Sequence, residues 1–259
     1  MMKENFQNFY KYRYLLFDLV IKDLKIKYRR SVLGFAWSIL NPLLMMVVIT
    51  AVFQNVFKSN IENFPVYYLT GYLFFSFLTE ATNMSMRSVM GAASLIKKVY
   101  IPKYLFPLEK CIFCFVNMLL SFVAVIIVML VLRVPITPTF FAFPIPMLYL
   151  FVFTVGLSLF LAAANVFFRD IEHLYGVFTT AWMYLTPIFY PMEMLPDFMT
   201  NVLRFNPLYH YVLYFRAIVL GNHMPDLHSN LVCMGFSLIM LIIGIAFFKK
   251  KQDKFILYI

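Results

Sequence analysis

Six long stretches without a charged residue constrain this sequence more than any other feature. They cover residues 31–57, 63–79, 111–132, 134–168, 173–192 and 227–248. A helix needs about 20 apolar residues to cross roughly 30 Å of hydrocarbon, and five of the six stretches reach that length. Only 13% of the residues are charged, against about 25% in an average soluble domain. The sequence therefore predicts an all-α, polytopic membrane protein.

We predict six transmembrane helices in a single membrane domain of residues 1–259, at 31–57, 63–86, 108–132, 147–168, 173–190 and 230–248. The second stretch continues past Glu80 with apolar or neutral residues to Met86. The fourth opens with four prolines, so we expect its helix to begin only at Met147. Residues 206–220 are apolar and aromatic but too short to span. They indicate a re-entrant or interfacial helical piece within an outer segment, 191–229.

The distribution of Lys and Arg predicts the orientation of these spans. Segments 1–30, 87–110, 169–172 and 249–259 hold 18 of the 22, and the intervening segments hold 4. Cytoplasmic loops carry the excess of positive charge, so both termini are expected in the cytoplasm. The formal net charge of +10 is then a topology signal with some attraction to anionic lipids, and nucleic acid is not an expected partner.

The N-terminal segment, residues 1–30, is predicted to form an amphipathic helix along the inner membrane interface. Over residues 6–30 one apolar strip recurs at helical spacing beside a polar row, and a second apolar strip lies next to it. The first strip contains Tyr10, Tyr14, Phe17, Ile21, Leu24 and Tyr28. Such a helix can contact lipid on one side and protein on the other. A simple basic anchor is the alternative.

Motifs for catalysis are scarce in this sequence. It contains no G-x-x-x-x-G-K-[ST] phosphate loop, so it does not bind a nucleotide by that route. Cys111 and Cys114 form one C-x-x-C pair, which cannot complete a zinc site and is typical of helix packing. A polar catalytic cluster at a membrane interface is not recognisable either.

Glu80 and a row of aromatic residues are the candidates for contact with a substrate. An acid inside a span is costly and indicates a functional site, although hydrogen bonds from Thr79 or Asn83 offer a structural explanation. Tyr175, Phe178, Trp182 and Phe189 fall on one stripe of the fifth span. Trp182 lies near mid-span, where interfacial anchoring does not explain it. The stripe either stacks on sugar rings or packs in the core.

Two motifs carry a resemblance to a known family. RRSVLGFAWSILNPLL (29–44) matches through Ser31, Leu33, Gly34, Trp37, Leu40 and Pro42, and SLIKKVYIPKYLFP (94–107) matches through Leu95, Ile96, Lys97, Lys98, Val99, Tyr100 and Pro102. Across nearly its whole length the chain resembles the membrane subunits of type-2 ABC exporters for lipid-linked polysaccharides such as O-antigen, capsule and teichoic acid. The segment GAA (91–93) is less polar than the family pattern.

The resemblance implies a role for the basic inner loop. Residues 88–104 would form a cytoplasmic coupling helix that docks on a separate ATPase subunit and is ended by Pro102 and Pro107. Its contact residues would be Leu95, Ile96, Lys97, Lys98, Tyr100, Pro102 and Lys103. A second inner contact, FFRDIEHL (167–174), would act through Arg169 and Asp170. Tyr28, Arg29 and Arg30 would form a gate at the interface, and Trp37 would join Glu80 and the stripe in the substrate path.

The resemblance also implies the partners. Two ATPase subunits would bind ATP and Mg, so this chain would need no cofactor of its own. A glycan cannot cross hydrocarbon without a polar route, because each unsatisfied hydroxyl costs several kcal/mol, and two copies of the chain are expected to enclose one. The expected location is the bacterial cytoplasmic membrane, among its lipids. Two alternatives stay open: an exporter of small hydrophobic molecules on the same fold, and a membrane-embedded glycosyl- or acyltransferase.

Overall fold

The chain folds as a bundle of helices. The computed structural model describes residues 2–29, 31–55, 61–191 and 195–258, and these residues contain α-helices and 3-10 turns but no β-strand. The α-helices are α1 (Met2–Tyr28), α2 (Trp37–Asn55), α3 (Phe64–Gly91), α4 (Ala93–Ile96), α5 (Leu105–Val131), α6 (Pro144–Phe167), α7 (Ile171–Leu185), α8 (Asp197–Leu203), α9 (Pro207–Val219) and α10 (Leu227–Lys251). Short 3-10 turns cover Gly34–Ala36, Pro138–Ala142 and Gln252–Leu257.

The core lies between α3, α5, α6, α9 and α10. Large side chains from four of these helices are fully buried there, among them Phe74, Leu78, Met129, Met147 and Phe215. α6 and α10 approach each other closely at Gly156 and Gly244, where an added Cβ would collide with the backbone of the facing helix. Small residues that let two backbones meet are the usual means of helix packing in membranes, where the hydrophobic effect between helices is weak.

Four helical stretches of the described chain are long and apolar enough to cross a membrane. They are Gly34–Gln54, Leu105–Val131, Pro138–Phe167 and Leu227–Leu257, and they correspond to the first, third, fourth and sixth predicted spans. α3 has 28 residues, but polar side chains lower its hydropathy. α7 has only 15 residues, or about 22 Å at 1.5 Å per residue. The count of six therefore stays a prediction.

Three predicted helix boundaries are corrected. α6 begins at Pro144 instead of Met147, because proline is well tolerated in the first turn of a helix. α7 ends at Leu185, just before Thr186 and Pro187, so the predicted span 173–190 is not one continuous helix. The helix in the coupling segment, residues 88–104, ends at Ile96, well before Pro102. Pro107 lies in the first turn of α5 and does not end the coupling helix.

α1 runs beside the first half of α5. Tyr12 Oη donates to the carbonyl of Tyr100 at 3.3 Å, Asp23 pairs with Lys110, and Tyr28 Oη donates to Asn117 Oδ1 at 2.8 Å. Leu16 and Val20 are buried against the protein, whereas Tyr10, Tyr14, Phe17 and Ile21 are exposed. One face of α1 thus contacts protein and another is exposed. The buried Leu16 and Val20 belong to neither of the two predicted apolar strips, and contact of the exposed face with lipid stays a prediction. Its C-terminal end lies level with Asn117, about 18 Å along α5 from Leu105.

Candidate functional site

A polar cavity of about 540 Å³ lies between the end of α1, the start of α2, α3 and α5. Its walls combine hydroxyl and amide groups with aromatic rings. The hydroxyl and amide groups belong to Ser38, Asn41, Ser76, Thr79, Asn83, Asn117 and Ser121, and the rings to Tyr28, Trp37, Tyr72 and Phe77. Three residues predicted separately as gate or substrate path, Tyr28, Trp37 and Glu80, line this one cavity.

The polar wall of the cavity follows from the sequence of α3. Ser76, Thr79, Glu80 and Asn83 recur at intervals of three and four residues, which places them on one face of a helix. Thr79 Oγ1 donates to the carbonyl of Phe75 at 2.9 Å, and Asn83 Nδ2 donates to the carbonyl of Thr79 at 2.8 Å. These polar groups are thereby satisfied within their own helix, which lets an otherwise apolar segment carry them.

Glu80 is paired with a cation from another helix. Its Oε1 lies 2.8 Å from Nζ of Lys27 at the end of α1, with the two side chains 42% and 36% exposed. Arg87, seven residues on, pairs instead with Glu172 at 2.9 Å. Ion pairs this exposed contribute only about 0–1 kcal/mol. The Lys27–Glu80 pair is therefore weak enough for a polar ligand in the cavity to compete with it.

Tyr28 ties three walls of the cavity together. Its hydroxyl donates to Asn117 on α5 at 2.8 Å and also contacts Ser38 Oγ at the start of α2. Its ring lies 4.5 Å from that of Phe35. Trp37 is 45% exposed, and Arg29 is exposed. Arg30, the third predicted gate residue, lies outside the described residues. Tyr28 thus fixes the junction at which α1 meets the first span.

The aromatic stripe predicted on the fifth span is not continuous. Because α7 ends at Leu185, Trp182 lies in its last turn instead of mid-span, and Phe189 lies beyond the helix. The ring of Phe189 stacks on Phe53 and on Tyr68, each at 5.8 Å. The prediction of one helical stripe is therefore wrong for Phe189.

The remaining members of the stripe differ in exposure. Tyr175 is buried and donates to Thr82 Oγ1 at 2.8 Å. Trp182 is also buried, and its indole N–H donates to Asn206 Oδ1 at 2.8 Å. Phe178 is 54% exposed. Two of the three side chains on α7 therefore pack inside the protomer, and only Phe178 presents a ring to its surroundings.

The coupling segment presents a basic, aromatic surface. Leu95, Lys97, Lys98 and Tyr100 are exposed, and Tyr100 reaches 88% exposure. Pro102 is half-buried. After α4 the chain forms a turn and then runs without regular structure to α5. The exposed residues lie close together in the chain, between α3 and α5.

Two predicted contact residues of this segment face the protein instead. Ile96 is only 8% exposed and belongs to a core cluster with Leu105 and Phe255. Lys103 Nζ donates to the carbonyl of Gln252 at 2.6 Å. Both residues hold the segment against the rest of the protein. Arg169 and Asp170, in the turn between α6 and α7, are exposed.

Arg216 is a buried cation that the sequence reasoning passed over. It lies on α9 and is 7% exposed. Its guanidinium donates to the carbonyls of Pro187 at 2.8 Å and Tyr67 at 3.0 Å, and more weakly to Thr70 Oγ1 at 3.4 Å. It also lies 3.4 Å from the centroid of the Tyr67 ring. An arginine within the apolar stretch 206–220 was the available signal.

Comparison with known proteins decides the family. A model of the ABC-2 type transporter family matches residues 14–220. The chain belongs to this family. It is therefore a transport subunit of the inner membrane and not an enzyme. The family assignment confirms the resemblance that the motifs at 29–44 and 94–107 indicated.

Curated relatives of this ABC-2 permease cover almost its whole length. The O-antigen export system permease protein RfbA of Myxococcus xanthus is 31% identical over 252 residues, 95% of each chain. RfbA of Klebsiella pneumoniae is 30% identical over 246 residues, 93% of this chain and 94% of the relative. The polysialic acid transport protein KpsM of Escherichia coli is 21% identical over 244 residues, 91% and 92% of the two chains.

Proposed function

We propose that this ABC-2 permease exports a lipid-linked cell-surface polysaccharide across the cytoplasmic membrane. The observation that carries the proposal is the similarity, over 93–95% of the chain, to permeases named for O-antigen export. The more distant relatives are named for polysialic acid transport and capsule polysaccharide export. These names share one class of substrate, a long polar glycan.

A separate ATPase subunit, present in two copies, powers the transport and holds ATP and Mg. The sequence contains no phosphate loop of its own. The exposed set Leu95, Lys97, Lys98 and Tyr100 in the coupling segment forms one contact with that subunit. Arg169 and Asp170, exposed in the turn after α6, form a second. Both segments lie on the cytoplasmic side, as the 18-to-4 division of basic residues supports.

The polar cavity is the part of the chain that meets the glycan. Sugar rings stack on aromatic faces, and their hydroxyls bond to hydroxyl and amide groups, both of which line the cavity. The Lys27–Glu80 pair adds one displaceable charge of each sign. Only about 540 Å³ is enclosed by one protomer, so a homodimer is needed to complete a route for a polymer. α2 supports this arrangement, because only 11% of the residues in its apolar part, within Gly34–Gln54, are buried inside the protomer. The rest of its surface is free to contact a second copy.

A second candidate, export of small hydrophobic molecules, is favoured by one feature. An apolar groove of about 500 Å³ lies between α7 and α10 and is lined by Phe178, Trp182, Leu185, Phe236 and Ile239 among others. A route lined wholly by such side chains suits an apolar cargo. The polar cavity and the similarity to polysaccharide permeases favour the glycan.

Charge reversal in the coupling segment tests the proposal. Lys97→Glu combined with Lys98→Glu should abolish stimulation of the ATPase by the permease and the appearance of glycan at the cell surface, because two exposed cations of the contact are reversed. The folded permease should be retained in the membrane. Lys249→Glu with Lys250→Glu makes the same charge change at exposed positions on α10 and should preserve both activities.

The substrate class is tested directly by mass spectrometry of lipids that co-purify with the transporter. A glycolipid with a repeating sugar chain supports the proposal. Transport of a small apolar compound, without loss of surface glycan when the permease is deleted, would replace it with the second candidate.

A further inference from the structure

The last described residues of the chain fold back beneath the bundle. After α10 ends at Lys251, a 3-10 turn covers Gln252–Leu257. Phe255 within it is fully buried, whereas Ile256, Leu257 and Tyr258 are exposed. Residues 252–258, called the 252–258 turn below, therefore have one side chain inserted into the inner end of the core.

The turn contacts the coupling segment through Lys103. The ammonium of Lys103 donates to the carbonyl of Gln252 at 2.6 Å and lies 5.7 Å from the centre of the Phe255 ring. Burial lowers the pKa of Lys103, and the nearby carboxylate of Asp253 opposes that shift. Hydrogen bonds from a charged donor are among the stronger ones in proteins. The ammonium of Lys103 is thus bound to the 252–258 turn.

The same turn contacts the end of α6. The ring of Phe167 lies 5.9 Å from Phe255 in an edge-to-face arrangement and 4.7 Å from Tyr258. Lys251 Nζ lies 5.2 Å from the centre of the Phe167 ring. Aromatic pairs in these geometries contribute beyond the area that they bury. The exposed residues Arg169 and Asp170 lie two and three positions after Phe167.

We propose that the 252–258 turn is a brace that joins the two segments that contact the ATPase, the coupling segment and residues 167–174, so that they move as one unit. Phe255 and Lys103 are its positioning residues, and neither contacts the partner. This inference rests on the proposed function of the two segments. It accounts for a lysine in the basic loop that is turned inward and for the only fully buried side chain of the turn.

The brace matters because the coupling segment has little structure of its own. Its helix ends at Ile96, and the following residues run without a helix to Leu105. On the opposite side the segment is held by Tyr12, which donates to the carbonyl of Tyr100. Without the turn, a force applied at the exposed lysines would displace the coupling segment and would not be transmitted to α6.

The test compares two variants with two matched controls in the assembled transporter. Phe255→Ala empties the buried anchor, and Lys103→Met removes the ammonium but keeps the aliphatic chain. Leu257→Ala and Lys254→Met make similar changes at exposed positions of the same turn. Two quantities are measured: hydrogen–deuterium exchange of residues 94–104 and 167–171, and glycan exported per ATP hydrolysed.

We expect exchange to rise several-fold in both segments of the two variants, because loss of the brace raises local opening. Export per ATP should fall several-fold while ATP hydrolysis continues. The controls should match the wild type. If Phe255→Ala fails to assemble, Lys103→Met decides the question alone. Unchanged exchange, or an unchanged ratio of export to ATP hydrolysis in assembled protein, overturns the proposal.

The role of the coupling segment and the role of the 252–258 turn can be refuted independently. If the charge reversal at Lys97 and Lys98 leaves ATPase stimulation intact, the assignment of the coupling segment is wrong. The exchange measurement still reports whether the 252–258 turn holds residues 94–104 and 167–171 together. If stimulation is lost but exchange does not respond to Phe255→Ala, only the brace is refuted.

Discussion

Replacement of Gly156 by Ala tests the packing of α6 on α10. A methyl group at Gly156 would lie 2.5 Å from the carbonyl oxygen of Met240 and from the nitrogen of Leu241, whereas ordinary contact begins near 3.4 Å. The obstacle is helix backbone, which cannot swing aside as a side chain can. The two helices must therefore separate by the difference, about 0.9 Å.

The cost of that separation follows from the steepness of dispersion forces. A radial gap of about 0.5–1 Å already forfeits a quarter to a half of the attraction between packed atoms, and overpacked cores lose about 1–3 kcal/mol. For Gly156→Ala we expect a loss at the upper end of this range, about 3 kcal/mol, because two whole helices must move apart. At about 2–4 °C per kcal/mol for a chain of this size, the melting temperature should fall by about 6–12 °C.

The assay is thermal unfolding of the purified permease in one detergent, with Gly235→Ala as the matched control. Gly235 lies on α10 with no heavy atom within 4 Å of an added Cβ. Alanine there gains helix propensity of about 1 kcal/mol, so its melting temperature should stay equal or rise. If Gly156→Ala melts at the same temperature as Gly235→Ala, the close backbone contact does not exist as described.

Three further predictions concern topology, α9 and α7. A cysteine reagent outside intact cells should label Asp197→Cys but not Ser94→Cys, and the opposite pattern would invert the topology; the three native cysteines are buried. Arg216→Met removes hydrogen bonds from a charged donor, each worth about 1.5–3 kcal/mol, and should lower the melting temperature far more than the same change at exposed Arg204. Trp182→Ala should cost about 3–5 kcal/mol as a buried aromatic, with export per folded molecule unchanged. Lower export without a loss of stability would instead indicate that Trp182 contacts the substrate.

The sequence predicted most of the helices because charge-free runs and their bounding charges are local signals. α5 (Leu105–Val131) departs by three residues at its start and one at its end from the predicted span 108–132. The errors arose where proline chemistry depends on position within a helix. Pro144 starts α6 instead of delaying it, and the run through Pro187 conceals the end of α7 at Leu185.

The pairings that build the site could not be predicted, because each joins residues far apart in the chain. Lys27 meets Glu80 across 53 positions, and Lys103 meets Gln252 across 149. Helical periodicity tells which face a side chain occupies, but not which helix lies against that face. Glu80 could be singled out because an acid within a membrane span costs free energy. Its partner Lys27 could not be predicted, because nothing in the sequence shows that α1 packs beside α5.

Inward and outward lysines of the coupling segment illustrate the same limit. Lys97, Lys98 and Lys103 look alike in a sequence that is otherwise poor in charge. Exposure separates them, since the first two are exposed while the third is half-buried and bonded to a carbonyl. Composition alone predicts a basic surface, and only packing tells which cations belong to it.

Arg216 fastens α9 with a charge whose acceptors are all neutral. Carbonyl oxygens of Tyr67 and Pro187, a threonine hydroxyl and an aromatic face receive the guanidinium. None of these acceptors takes up a proton in the range that bacteria meet, and a buried contact is little screened by salt. The attachment of α9 to α3 should therefore hold in acidic and in saline surroundings alike.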